Sequence, residues 1–376
     1  VLMRRIQMVD LQGQYARLAS DIDPAIQQVL RDADFIQGGA VRRLEAALAE
    51  RYEVKHVIGC ANGTDALQLA FMALNLPAGS EVITPAFSYA ALTEVLLLMG
   101  LKPVFVDVDP GTFLMDVSQV ESLITANTRA IAPVHLYGQM VSMEPLRALA
   151  QKHHLFVVED AAQAIGSQYC TPNEHGFAGT MGHIGTTSFF PSKNLGCFGD
   201  GGALFTNDDD LAARLRSMAN HGQTVKYQHD LLGLNSRLDT LQAAVVLAKL
   251  NHLGDFERRR RAVAHRYDEG LLGLSGVEVP QRTVDSSHVF HQYTLKCENQ
   301  TMRDALKLAL AEQGIPSMIY YPIPLHWQTA YKQVVSLPIS EDLCGRVLSL
   351  PICSELDEEQ QEHIIKNIRN FTQKSQ

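Results

Sequence analysis

One lysine, Lys193, lies in the run Ser188-Phe-Phe-Pro-Ser-Lys193-Asn-Leu-Gly-Cys-Phe-Gly-Asp-Gly-Gly-Ala203, between two apolar segments that read as strands. Hydroxyls and glycines surround it. An amine in an otherwise uncharged, strand-flanked pocket is poorly solvated, which lowers its pKa and frees it for a Schiff base. Alone, such a lysine would read as a solvated surface turn. Upstream, Val157-Val-Glu-Asp160-Ala-Ala-Gln163 ends an apolar run on an acid. A carboxylate there needs a cationic partner, such as a protonated pyridine nitrogen, or else caps a following helix. Gly59-Cys-Ala-Asn-Gly-Thr-Asp-Ala-Leu67 follows the first strand and puts Gly63 and Thr64 at a helix start. Free N–H groups and a hydroxyl at such a place hold a phosphate, or form an ordinary N-cap. With Ser188 and the lysine loop, the set is a phosphate cup, an acid for a pyridinium and an amine for an aldehyde. Those are the demands of pyridoxal 5′-phosphate (PLP).

These residues need a scaffold that brings strand ends together. Strand-like runs recur at His56–Ala61, Glu81–Pro85, Pro103–Val108, Ala130–His135, Phe156–Asp160, Gly185–Phe190 and Ala203–Thr206. Several lack strict alternation, which suits strands buried on both faces. Amphipathic stretches separate them: Asp65–Leu74, Tyr89–Leu98, Val117–Ile124 and Met143–Lys152. The alternation predicts a doubly wound α/β core, whose polar sites fall past the strand carboxyl ends. Two helices precede it between Leu11 and Tyr52, broken at Gly38-Gly39, and Asp208–His221 and Thr240–Leu250 follow. Beyond Phe256 the pattern changes to a helix (Arg258–Leu271), strands near Val277–Val279 and Tyr293–Cys297, and helices at Met302–Gln313 and Glu358–Thr372. We expect a large coenzyme-binding domain over 1–250, with the N-terminal helix packed on the small domain, and a smaller α+β domain over 251–376.

Composition narrows the class. The hydrophobic fraction is 46% and mean hydropathy is −0.04, ordinary for a globular enzyme. The net charge of −9 argues against a general nucleic-acid binder, which would show a basic face. No apolar run is long enough to span a membrane; Val95-Leu-Leu-Leu-Met99 is the densest. The N-terminus has charge but no apolar core, unlike a secretory signal, and Val1 and Leu2 ahead of Met3 read as vector residues. The six cysteines show no Cys-x-x-Cys pair and suit free thiols in a reducing cytoplasm. Gly196–Gly202 leads into a strand rather than a helix, so it is no dinucleotide fingerprint. The fourteen histidines show no metal spacing, and His153-His154 reads as an exposed helix end. Glu257-Arg-Arg-Arg-Arg261 reads as a solvated helix face or a dimer contact.

The chain resembles the DegT/StrS-type sugar aminotransferases, which have the fold of aspartate aminotransferase. The likeness runs nearly end to end. It is carried by Val9-Asp-Leu-Gln-Gly-Gln-Tyr15, Phe35-Ile-Gln-Gly38, Ala61-Asn-Gly-Thr-Asp-Ala-Leu67, Glu81-Val-Ile-Thr-Pro85, Pro133-Val-His-Leu-Tyr-Gly138 and Glu159-Asp-Ala-Ala-Gln163. The lysine loop, Asn235-Ser-Arg-Leu-Asp-Thr-Leu-Gln-Ala-Ala244 and Tyr321-Pro-Ile-Pro324 complete it. The resemblance implies PLP-dependent fold type I: a large, mostly parallel seven-stranded sheet domain and a smaller C-terminal α+β domain. It implies that Lys193 bonds the coenzyme and serves as base and acid, that Asp160 pairs with the pyridine nitrogen, and that Gln163 lies near the ring hydroxyl. Tyr89 would stack on the ring. Gly63, Thr64 and Ser188 would hold the phosphate, with Asn235 reaching it from the neighbouring subunit of a homodimer. L-glutamate would supply the amine and a nucleotide-linked keto-sugar would receive it.

In detail the chain is most similar to enzymes that aminate the 3-keto position of UDP-N-acetyl-3-oxo-glucuronate. Shared phrases include Thr187-Ser-Phe-Phe-Pro-Ser-Lys193, His221-Gly-Gln223 and Asn235-Ser-Arg-Leu-Asp-Thr-Leu-Gln242. In them an arginine matching Arg237 meets a carboxylate of the sugar or of glutamate; an ion pair with Asp239 or another acid is the alternative. Tyr320 stands where that subgroup often has histidine, so TDP-linked 3-keto-6-deoxyhexoses, and 4-keto-sugars more distantly, stay open. Tyr320 and Tyr321 would border the sugar. His326, beside Trp327, either lines the sugar site or packs. A PLP-binding regulatory protein is the reading from another class; it would be yellow but inert to every amino donor.

Overall fold

The computed structural model describes residues 3–374; Val1 and Leu2 lie outside the described residues. Seven strands form one sheet in the order His56–Cys60, Gly202–Thr206, Ile184–Ser188, Phe156–Asp160, Thr128–Ile131, Glu81–Pro85, Lys102–Val106. Five of them, from Ile184–Ser188 to Lys102–Val106, pair in parallel. Gly202–Thr206 runs antiparallel to both of its neighbours. Every residue of Ile184–Ser188 and Gly202–Thr206 is buried, which is why their sequences show no alternation. Along Gly202–Thr206, Leu204 enters the core on one face while Ala203 and Phe205 enter the core on the other. Period-two side chains thus feed both layers.

The helices differ from expectation in informative ways. Leu11–Asp32 buries Leu18, Ile22 and Val29 in the large-lobe core, against Thr240–Leu250. Its apolar face therefore packs on the large sheet's helical layer, while its Arg17 donates to Glu355 Oε1, beside the small-lobe core, at 2.8 Å. It is the segment ahead of the helix, through Ile6, that enters the small lobe's core. Leu253–Leu271 bridges the lobes: Leu253 and Phe256 sit in the large-lobe core, Val263, Ala264, Tyr267 and Leu271 in the small-lobe core. Its charged run is not a solvated face throughout. Arg260 is 2% exposed and donates to the carbonyls of Phe290 and Ile352 at 3.0 and 3.1 Å. The small lobe adds the antiparallel strands Val277–Glu278, Tyr293–Cys297 and Val347–Leu350. The Val347–Leu350 strand, the preceding helix Pro338–Arg346 and two short hairpins, Gln168–Cys170 with His175–Phe177 and Gln223–Val225 with Gln228–His229, were not foreseen. No described helix is long and apolar enough to cross a membrane.

Phe156–Asp160 carries the last fixed point before the chemistry. Glu159 is wholly buried, yet its carboxylate is saturated. It accepts from Gly179 N at 2.9 Å, Met181 N at 2.7 Å, Gly182 N, and His135 Nε2 at 2.8 Å. His135 Nδ1 accepts from Val141 N at 3.2 Å, so the ring proton is on Nε2. One acid thus ties the loop leading into Ile184–Ser188 to the chain following Thr128–Ile131. Replacing Glu159 by Ala strands these donors in the core, and we expect a loss of about 3–5 kcal/mol, read as a lower urea midpoint.

Candidate active site

Asp160 is the carboxyl-terminal residue of its strand and Ser188 that of the next strand, so both lie at one sheet edge. No described helix follows Asp160. Its Oδ1 accepts from Ala162 N at 3.0 Å and closes a turn, not a helix cap. Burial pushes the carboxyl up, while the Ala162 amide and then the Lys193 charge pull it back. Lys193 shows the converse. Burial pushes its amine down to about 8 and the Asp160 charge opposes that. Lys193 N bonds the carbonyl of Phe190 at 2.8 Å, but its Nζ has no hydrogen bond among the described residues.

The loop around Lys193 is anchored on both flanks. Asn194 Nδ2 donates to Val289 O at 2.9 Å. Lys249 Nζ, on Thr240–Leu250, donates to Gly196 O at 2.7 Å and lies 4.6 Å from the Phe198 ring centroid. Gln242 Oε1 accepts from Phe198 N at 2.8 Å. The side chain of Lys193 is thus free on a fixed backbone.

Gln163 is held in one orientation. Its Oε1 accepts from Tyr137 N at 2.8 Å and its Nε2 donates to Tyr321 Oη at 3.0 Å. Tyr137 Oη in turn donates to the carbonyl of Tyr320. Phe87 and Tyr89 flank Tyr321, with centroids at 6.3 and 6.2 Å. Tyr89 precedes the helix Ala91–Leu98 rather than opening it, and its ring is 62% exposed.

The helix Gly63–Leu74 is capped by Asn62, not by Thr64 or Asp65. Asn62 Oδ1 accepts from Asp65 N at 2.8 Å and its carbonyl accepts from Ala66 N at 3.0 Å. The amides of Gly63 and Thr64 are left without protein partners among the described residues, at the positive end of a helix. A Cβ at Gly63 would meet Ser188 Cβ at 2.7 Å, so the hollow beside Ser188 exists only because residue 63 is glycine. Ser188 Oγ accepts from Phe190 N at 3.2 Å and still has a proton to donate.

Not every expected residue joins this group. Asn235 and Arg237 line a depression of about 510 Å³ with Ala61, Asn62, Gly199 and Asp200, and neither Lys193 nor Asp160 borders it. Arg237 makes no ion pair with Asp239 or with any other described residue. His326 is fully buried, its Nε2 meets Glu341 Oε1 at 3.1 Å, its Nδ1 has no partner among the described residues, and its ring packs near Phe105. Conversely, Glu159, His291 and Asn194 surround the site and were not singled out. Adjacency to Asp160 and Lys193 hinted at Glu159 and Asn194; nothing in the sequence hinted at His291.

Residues 16–369 match the DegT/DnrJ/EryC1/StrS aminotransferase family. The chain belongs to that family. It is 47% identical to a UDP-N-acetyl-3-dehydro-alpha-D-glucosamine 3-aminotransferase of Acidithiobacillus ferrooxidans, over 97% of each chain. It is 44% identical to the UDP-2-acetamido-2-deoxy-3-oxo-D-glucuronate aminotransferase of Pseudomonas aeruginosa, over 94% of this chain and 96% of that one. A crystal structure of a family aminotransferase from Brucella abortus superposes with a TM-score of 0.93 at 44% identity, covering 98% of this chain and 99% of that one. The fold is that of the PLP-dependent fold type I enzymes, and aminotransferases of the family depend on PLP. The residues present fit that coenzyme. The Gly63–Ser188 hollow and two free amides suit its phosphate, the incompletely bonded Asp160 suits a pyridinium, and the unpartnered Lys193 amine suits an aldehyde.

Two outcomes follow from this geometry. With coenzyme removed, Lys193 should react with formaldehyde and cyanoborohydride with a midpoint near pH 8, gaining reactivity as pH rises through it. Asp160→Asn removes the charge that favours the ammonium, so the midpoint should fall; peptide mass mapping across a pH series reads both. Gly63→Ala should weaken PLP binding about ten- to a hundredfold by displacing Ser188 or the phosphate, as measured by equilibrium dialysis.

Proposed function

We propose that this protein transfers the amino group of L-glutamate to C3 of a UDP-linked 2-acetamido-3-keto sugar, supplying an amino sugar for surface polysaccharide. The observation that carries the chemistry is the unpartnered Lys193 amine beside the enclosed Asp160 carboxylate. What supports the sugar is that both relatives described above are named for action on UDP-linked 3-keto acetamido sugars.

When bound, PLP supplies an aldehyde and a protonated ring that accepts the electron pair left by a departing proton. The Gly63 and Thr64 amides and the Ser188 hydroxyl would hold its phosphate. Asp160 would keep the ring nitrogen protonated, and Gln163, fixed by Tyr137 and Tyr321, would meet the ring hydroxyl. Tyr89 would cover one face of the ring. Lys193 Nζ, with a pKa near 8, has an unprotonated fraction at neutral pH and takes the α-proton of L-glutamate. As an ammonium it would return a proton, water would supply the keto oxygen of 2-oxoglutarate, and the amino group would stay with the coenzyme. In the second half-reaction Lys193 would deliver the proton to C3 of the sugar. Lys193 is therefore both base and acid.

We assign Asn235 and Arg237 to the neighbouring site of a homodimer, Asn235 to the phosphate and Arg237 to a substrate carboxylate. What supports this is their position on an open depression without Lys193, and the unpaired guanidinium, whose fork suits a carboxylate. Tyr320 and Tyr321 border the sugar. Six unpaired cysteines accord with work in the reducing cytoplasm.

Single-turnover assays with the aminated coenzyme form test the reading. The panel is UDP-2-acetamido-3-keto-glucose, its C6 carboxylate, and a TDP-linked 3-keto-6-deoxyhexose. We expect a UDP sugar to restore the aldehyde-form absorbance fastest, and Lys193→Ala to abolish turnover. Turnover by Lys193→Ala would refute the chemistry; a faster TDP sugar would refute the substrate.

A further inference from the structure

The segment carrying His291 is stitched to the lysine loop and to the large lobe. Asn194, next to Lys193, donates to Val289 O at 2.9 Å. Val289 N donates to Gly138 O at 2.7 Å and Gln292 N to Tyr137 O at 3.1 Å. The approach is so close that a Cβ on Gly138 would meet His291 N at 2.8 Å. The position of His291 relative to Lys193 is thus set by contacts on both sides of the ring's own residue.

The imidazole is 5% exposed, and its Nδ1 is buried with no partner among the described residues. The charges that face it are both cationic, Lys193 and Arg260, and burial, then Lys193, then Arg260 hold its pKa well below the ordinary value. Arg260 is committed to the Phe290 and Ile352 carbonyls. The ring is therefore neutral, with one N–H and one lone pair. A buried acceptor left unmade is costly. Lys193 Nζ is a donor without an acceptor, carried on a flexible stem.

We propose that His291 is a positioning residue for Lys193: its Nδ1 accepts a hydrogen bond from Lys193 Nζ whenever that amine is released from the coenzyme. The lysine is thereby parked within reach of the substrate carbon between its two proton transfers. This inference rests on the role proposed for Lys193. It gives that lysine a second station besides the coenzyme, and it requires the His291 tautomer with the proton on Nε2.

The test uses the full chain, with and without PLP. Borohydride reduction of the PLP-loaded wild-type protein and peptide mapping come first. An adduct elsewhere than Lys193 would refute the proposed function itself. With that adduct in place, the pH midpoint of Lys193 methylation is measured in the coenzyme-free protein. His291→Leu removes an acceptor that favours the ammonium, so the midpoint should fall by about one pH unit or more. His291→Asn, which keeps an acceptor near the Nδ1 position, should restore it. His291→Gln, whose acceptor lies nearer the Nε2 position, should behave like His291→Leu, and the Asn–Gln comparison decides the matter if His291→Leu does not fold. A midpoint unchanged in His291→Leu, or equal in the Asn and Gln variants, would overturn the proposal while leaving the Lys193 assignment intact.

Discussion

Lys193 and Asp160 are both half-buried, and each opposes the shift that burial imposes on the other. A lone buried acid or amine would discharge. Here each charge favours the ionised form of the other. The rest of the structure can be understood as what keeps this pair enclosed and at the right separation. Parallel neighbours put Asp160 and Ser188 at one sheet edge, and the strand Gly202–Thr206, turned antiparallel, closes the lysine loop back onto that edge. Neither side chain has a full set of protein partners, which suits the family's coenzyme.

The strand that ends on Asp160 divides two kinds of acid between its faces. Glu159 points into the layer behind the sheet and meets four donors; Asp160 points to the cleft and meets one amide. Adjacent residues on a strand must face opposite ways, so the dipeptide delivers a structural carboxylate and a chemical one at once. Saturation is the difference. A carboxylate with all its lone pairs engaged is fixed and inert, whereas one left short is available to an incoming cation. The same criterion separates Asn62 from Thr64: Asn62 spends its side chain on the helix cap, which leaves the Gly63 and Thr64 amides and the Thr64 hydroxyl for a ligand.

Much of this was legible in the sequence, because local runs encode it. The strands Glu81–Pro85 and Phe156–Asp160 and the helices Met143–Lys152 and Thr240–Leu250 were read at their observed limits. What escaped was decided by distant contacts. Strand direction leaves no mark in an unbroken apolar run, so the reversal of Gly202–Thr206 was invisible. The run Glu257–Arg261 looked solvated because nothing local reveals that the carbonyls of Phe290 and Ile352 lie over Arg260. His326 read as lining the sugar site or packing, and nothing local showed that Glu341, brought by a helix further along the chain, meets its Nε2. The hairpin strands are two or three residues long, too short for any periodicity. At the site, Lys193 and Asp160 stood out because their residue types were anomalous in apolar surroundings. His291 did not, since a histidine amid His288-Val-Phe-His291 is unremarkable until its neighbours in space are known.

A depressed amine pKa is not by itself the mark of the nucleophile. Lys249 is only 1% exposed, and burial pushes it, too, down to about 8. It sits directly beneath the lysine loop. Desolvation therefore treats the two lysines alike, and chemistry is assigned by what remains free. Lys249 Nζ is committed to the Gly196 carbonyl and lies against the Phe198 ring. Lys193 Nζ has no such commitment, and its backbone is immobilised in part by the very bond that Lys249 makes. One buried lysine is spent as an anchor so that the other can move, which places the selectivity for a single reactive amine in hydrogen-bond topology rather than in acidity.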